Sequence, residues 1–234
     1  MRMSREAARA TYLEAASAWQ QGKRWFARWV VALLAPGTTD DGTPGGRVRL
    51  TPFNAPFGQM KFRDSYFDQA CVRVAKEENM PADAFVGWAR VDHFTGANLD
   101  ARALLDGVLS TNGKPANTGA PSATWLAMMA LRMFPLADDG RLRCTGWQEV
   151  RLSREATRRS LIWPLWRPFF DGAAIRTLIS HPALELERTR GGRWVPRGRL
   201  RLAGLGVSAV YGSSRRTRSQ GDGPLGPGVL LWPT

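Results

Sequence analysis

Cysteine is almost missing from this chain: Cys71 and Cys144 are the two thiols in 234 residues. Two thiols that far apart make neither a disulfide framework nor a zinc cluster. Histidine is equally scarce, and neither His93 nor His181 has a cysteine or carboxylate set at ligand spacing. The most apolar stretch, residues 122–134, falls short of the about 20 residues that cross a bilayer. The opening Met1-Arg-Met-Ser-Arg-Glu6 carries charge where a secretory signal would be apolar. A cytoplasmic protein with no membrane partner is expected.

Catalytic signatures are absent as well. The chain has no glycine-rich phosphate loop ending in Lys-Ser/Thr, no dinucleotide glycine fingerprint, no Gly-x-Ser-x-Gly and no His-Glu-x-x-His. Asp40-Asp41 sits in a glycine-rich linker and Asp138-Asp139 in a hairpin turn, both poor frames for a divalent metal. His93 beside Asp92 offers a base without an identified nucleophile. No cofactor and no metal are expected, and the chain reads as a protein that is not an enzyme.

Acid is also in short supply. Lys and Arg number 33 against 20 Asp and Glu, a net charge of +13. Only Lys23, Lys61, Lys76 and Lys114 are lysines, so 29 of the 33 cations are arginine. A GC-rich coding sequence would account for arginine over lysine, but not for the excess of cations over acids. That excess favours a polyanionic partner, nucleic acid first, and guanidinium forks match phosphate well. With 44% apolar and 23% charged residues, the chain can bury a core as one large domain or two small ones.

What is present divides the chain into a basic helical segment over 1–34, a helical core region over 47–136 and a basic, β-containing region over 137–234, or joins all three as one continuous domain. Ser4 is placed to cap one long helix, or two, running to Leu34, with Gly22 marking a break or a close contact. Its basic face, with Trp19, Trp25 and Trp29, can lie on nucleic acid or a membrane surface, or simply be solvated. Ala35–Gly46 reads as a loop and Arg47–Thr51 as a short strand. Helices follow over Asp64–Asn79 (Tyr66, Phe67, Ala70 and Val74 inward) and Pro81–Val91 (Phe85 and Trp88 as anchors). Asp92–Asn98 reads as a turn, Leu99–Leu109 as a helix and Thr111–Gly119 as a loose polar segment. From Ser122, read as an N-cap, to Pro135 runs a helix apolar all round, predicted to be buried on every side and central. Asp138-Asp-Gly140 signals a hairpin, and strands are predicted over 141–147, 160–166 (at an edge, because of Pro164), 205–211 and 228–232, with a helix over 171–179. The fold class is α+β: mainly helical in the N-terminal two-thirds around a buried helix, with a small antiparallel sheet in the C-terminal third.

Two stretches suit nucleic acid. The loop Thr51–Arg63 sets Asn54, Gln59, Lys61 and Arg63 beside Phe53 and Phe57, groups that read base edges and phosphates, although ordinary aromatic-anchored loops look the same. Lys114 lies in the polar segment before Gly119. From Pro182 to Thr234 nine arginines face Glu185, Glu187 and Asp222, a net of +6. Arg193 in a basic turn and Arg215, Arg216 and Arg218 in a cationic loop are the candidates there.

Several blocks recur in order: Thr51-Pro-Phe-Asn-Ala-Pro-Phe-Gly-Gln59, Gly119 to Pro135, Thr145-Gly-Trp147, Ile162-Trp-Pro-Leu-Trp166 and Leu205 to Arg216. This set resembles the large-subunit-like proteins of type I CRISPR interference complexes, particularly subtype G (formerly U), in a short form. The resemblance spans about Thr51 to Arg216 and includes no catalytic signature. The chain departs from the pattern in being short, without the additional N-terminal portion expected of a large subunit. The resemblance implies a non-catalytic subunit of a crRNA-guided ribonucleoprotein complex in antiviral defence. Its partners would be the other crRNA-containing subunits, target double-stranded DNA at the protospacer-adjacent motif, the displaced single strand, and a separate helicase-nuclease. The competing reading is a protein–protein scaffold whose tryptophans dock on neighbouring subunits without touching DNA.

Overall fold

The computed structural model describes residues 3–39, 46–53, 67–92, 94, 108–109, 115–116, 118–138, 141–152, 156–218 and 221–233. The chain opens with α1 (Arg5–Gln20) and α2 (Arg24–Leu33). Ser4 caps α1 as its sequence position predicts, its Oγ accepting from the Ala7 N–H at 3.2 Å. Gly22 is the break, with φ +80°. The Lys23 N–H reaches the Ala18 carbonyl at 2.8 Å and the Gly22 N–H the Trp19 carbonyl at 3.0 Å. That pair of bonds closes a helix in the Schellman manner, which needs a left-handed residue between them.

Helix α2 runs straight into β1 (Leu34–Thr39), paired with β2 (Val48–Leu50). The expected loop over 35–46 is therefore strand at its start, because β2 offers partners that outweigh the local preference of Pro36 and Gly37 for a turn. The Tyr12 hydroxyl donates to the Leu34 carbonyl at 2.6 Å and ties α1 to this pair.

Next come α3 (Asp68–Lys76), α4 (Met80–Val86), β3 (Val91–Asp92), β4 (Val108–Leu109), β5 (Pro115–Ala116), β6 (Thr118–Gly119) and α5 (Pro121–Ala130), which tightens into a 3-10 turn over Leu131–Met133. Strand β3 pairs with β6 and β4 with β5. Ala70 and Val74 are buried in α3 as expected. Phe67 is exposed, and Phe85 and Trp88, expected as anchors, are 75% and 52% exposed. The helix around them stops early: Trp88 turns left-handed at φ 57°, and its indole donates back to the Ala84 carbonyl at 2.8 Å. Asp92 belongs to β3 instead of a turn, and Val108 and Leu109 are strand instead of helix end. Residues 93, 95–107, 110–114 and 117 lie outside the described residues.

Ser122 is not the cap of α5. It is the second residue, fully buried, and its hydroxyl donates to Asp83 Oδ2 at 2.5 Å, joining α4 to α5. Met128 and Leu131 are buried, but Trp125, Leu126, Met129, Met133 and Phe134 are half-buried and Ala127 is exposed. One side of α5 faces α3 and α4, and the remainder is covered only in part. The chain is a mixed α+β fold with small antiparallel sheets, but its N-terminal two-thirds alternate helices with short strand pairs and are not dominated by helix.

The centre of packing lies later. Strands β7 (Leu136–Asp138) and β8 (Leu142–Cys144) form the hairpin signalled by Asp-Gly, with Asp138 opposite Leu142. After β9 (Trp147–Gln148) the long β10 (Ala156–Trp166) leads to α6 (Gly172–Ile179), β11 (Leu186–Arg188), β12 (Trp194–Pro196), α7 (Arg199–Gly204), β13 (Val207–Arg218), β14 (Gly221–Leu225) and β15 (Val229–Trp232). The main sheet runs β14-β13-β10-β9, with β15 also on β13. Ile162, Val207, Val210 and Leu231 of this sheet pack with Leu178, Leu184 and Leu202 into the principal core. Gly212 of β13 lets the side chains of Leu152, Ile162 and Leu231 close over it, since a Cβ there would stand within 3 Å of a methyl carbon of each and those side chains would have to shift. Asp171 caps α6, its Oδ1 accepting from Ala173 and Ala174 at 2.9 and 2.7 Å.

Strand β10 has β13 along one side and, on the other, only the short β9, so around Pro164 that second side is an edge among the described residues, as Pro164 predicts. The Ile162 N–H points to the β9 side, donating to Gly146 at 2.7 Å, and by period two the Pro164 nitrogen faces the same side. Pairing with β9 is confined to Ser160 and Leu161. The missing N–H thus falls where no described strand needs it.

Candidate nucleic-acid interface

Strand β8, the short β9, Arg159 of β10 and Pro52 line a cleft of about 330 Å³. Arg141, Arg143 and Arg159 line it with Trp147 and Gln148, and Glu149 is the acid among the described lining residues. Alternation in β8 explains the arrangement: Cys144 turns inward and is buried, while Arg141 and Arg143 are exposed. Trp147 is held from behind by Phe53 (ring centroids 5.4 Å apart, edge to face), which also packs on Phe134 at 5.2 Å. On the indole lies Arg215, half-buried in β13, with Cζ 5.5 Å from the ring centroid. Aromatic face, guanidinium and an amide in one concavity are the groups that hold a base and its phosphate.

Of the residues predicted from sequence, Arg215 is brought to the edge of this site, against the Trp147 ring and outside the described cleft lining. The cationic loop expected at Arg215–Arg218 is instead the end of β13, where Arg216 stands opposite Ala156 of β10 and Arg218 opposite Gly221 of β14. It is a strand because β10 and β14 supply partners on both sides. Arg193 is exposed in the turn between β11 and β12 and does not line the cleft. Asn54, Gln59, Lys61, Arg63 and Lys114 lie outside the described residues, as do Phe57, His93, Asp40, Asp41 and Asp139. Sequence reasoning missed Arg141, Arg143 and Arg159 as site residues. The Arg-x-Arg alternation after the Asp-Gly turn is the signal that carries the first two.

Other polar groups are committed to structure. Asp138 accepts from the Thr38 hydroxyl across β1 and β7. His181 uses Nδ1 to accept from the Ala183 N–H at 3.0 Å. Burial pushes the Cys144 thiol up to about 12, with Arg159 pulling the other way. Burial, then Asp68, raises the Cys71 thiol. Neither is a ready nucleophile. Among the described residues no three His, Cys, Asp or Glu side chains gather as a metal site, and no helix is long and apolar enough to cross a membrane.

No family model, no curated protein and no solved structure matches the chain. The function is therefore read from the residues themselves.

Proposed function

We propose that this is a non-catalytic nucleic-acid-binding protein, working in the cytoplasm as a subunit of a crRNA-guided type I CRISPR interference complex. The carrying observation is the cleft in which Arg141, Arg143 and Arg159 gather beside Trp147 and Gln148, with Arg215 laid on Trp147. Phosphates of target DNA, as duplex or displaced strand, are held by those guanidiniums, and an unstacked base is received on the indole–guanidinium face. The assignment to the CRISPR complex rests on the ordered blocks of the sequence. Cutting is left to a separate helicase-nuclease.

Fluorescence anisotropy with labelled single- and double-stranded DNA over a salt series tests the reading. Binding that weakens steeply with salt is expected, because each neutralised phosphate releases counterions. Absence of salt-dependent binding to either form would overturn it. The exposed run Phe85-Val86 with Trp88 favours a second reading, a scaffold subunit that docks on neighbouring proteins. Copurification with complex subunits but not with DNA would select that one.

A further inference from the structure

The sequences of α2 and α6 and the Leu131–Met133 turn contain no acidic residue. Folding nevertheless brings their arginines together. The turn packs on α2, and Arg176 Nη1 of α6 lies 4.0 Å from Met133 Sδ of the turn. Arg24 and Arg28 are one helical turn apart on α2 and so share a face. Arg132 projects from the turn itself. Arg28 and Arg176 are half-buried, and Arg24 and Arg132 are exposed.

No described carboxylate pairs with any of the four. Asp171, at the head of α6, spends its Oδ1 on two backbone N–H groups. Arg176 folds back toward that end of the helix, Nη1 standing 3.6 Å from where a Cβ on Gly172 would be. Burial first, then the guanidiniums of Arg176, Arg132 and Arg24, lowers the proton affinity of Arg28. Every arginine here stays charged all the same. Four like charges held together without a counterion work against folding, so an anion is what the patch is short of. Arg24 Cζ also lies 5.5 Å from the Trp19 ring centroid, and that indole is 46% exposed. An exposed ring beside an arginine row suits an unstacked base more than a closed duplex.

We propose that Arg24, Arg28, Arg132 and Arg176, with Trp19, form a second seat for single-stranded nucleic acid. It shares no residue with the cleft around Trp147. The guanidiniums take successive phosphates in fork geometry, and a base stacks on Trp19. The inference rests on the reading of the protein as a nucleic-acid binder but adds a site of its own.

The full chain is compared with a triple variant, Arg28→Gln, Arg132→Gln and Arg176→Gln, using labelled oligothymidine of about 16 nucleotides, the matching duplex, and vesicles containing phosphatidylserine. For the single strand, the slope of log affinity against log salt should shrink by about 2, at roughly 0.7 for each phosphate no longer held. The same variant should melt higher than the parent, because its mutual repulsion is relieved. An Arg28→Lys, Arg176→Lys variant should keep most of the slope, and Trp19→Leu should weaken the single strand more than the duplex. An unchanged slope in the triple variant overturns the seat, as does vesicle binding in place of DNA binding. If Arg141→Gln with Arg143→Gln still flattens the slope in that case, the cleft stands alone. If neither variant changes it, both sites fall.

Discussion

The β11–β12 region and the surface shared by α2 and α6 carry the same side chain into opposite circumstances. Around β11 and β12 the sequence is rich in arginine, and both acids there are taken up by it: Arg197 pairs with Glu185 at 3.0 Å and Arg199 with Glu187 at 3.6 Å. Arg188 spends its Nε on the Gly192 carbonyl at 3.1 Å, closing its own turn. On α2 and α6 the arginines are sparse in sequence and gathered in space, and no described acid meets them. A binding surface is made where cations outnumber neighbours of opposite sign, and counting along the chain does not find it. The cleft at Trp147 likewise gathers Arg141, Arg143 and Arg159 from separate stretches of the chain, with Glu149 the acid among its described lining residues.

The contrast can be broken first at the cleft. Reversing Arg141, Arg143 and Arg215 to Glu should lower DNA affinity by about 100-fold at moderate salt, while the same change at Arg197 and Arg199 should stay within about threefold. Anisotropy titrations at one salt concentration compare the two, and equal losses would erase the distinction. Next in size is Gly22→Ala. A left-handed residue with a Cβ costs roughly 1–2 kcal/mol, and the loss, read by chemical denaturation, falls on the joint that sets α2 and its arginines in place.

A pH series separates charge from fold. The Cys144 thiol, raised to about 12 when folded, binds its proton more tightly than in the unfolded chain. Its contribution to stability is complete below pH 9 and is lost as pH rises toward 12, at about 1.4 kcal/mol per pH unit. Tyr12, raised by burial and then by Asp138, adds to the fall at the upper end. Cys144→Ala should therefore show a shallower decline above pH 9 than the parent. DNA binding should hardly change up to pH 9, because no arginine titrates there. The smallest expected effect is a gain: Glu185→Gln with Glu187→Gln unpairs Arg197 and Arg199. Exposed pairs contribute less than about 1 kcal/mol each, so stability should barely move while DNA affinity rises about two- to threefold.

Local chemistry was legible in the sequence. The Ser4 cap, the helix after Asp171, the turn at Gly22, the Asp-Gly hairpin and the last strand at Val229–Trp232 all depend on residues within a turn of one another. Pairing over long separations was not. Leu34–Thr39 and Arg215–Arg218 are strands because of distant partners, and the burial of α5 was overestimated because an apolar sequence does not say what covers it. The cleft shows the same limit: Arg215 was visible as a candidate, but its seat on Trp147 depends on β13 lying beside β10. Arg24 and Arg176 are joined only by the packing of α2, the Leu131–Met133 turn and α6. No periodicity in the sequence announces that meeting.

The central claim is that a surplus of guanidiniums on this surface holds a sugar-phosphate chain. The most direct measurement is the salt slope for oligothymidine in the parent chain and in a variant neutralised at both arginine sites (Arg28, Arg132, Arg141, Arg143 and Arg176 to Gln). The slope should be steep in the parent and fall by about 3.5 in the variant, at roughly 0.7 per phosphate, with the fold retained by circular dichroism. Two equal slopes, from two folded proteins, would contradict the account.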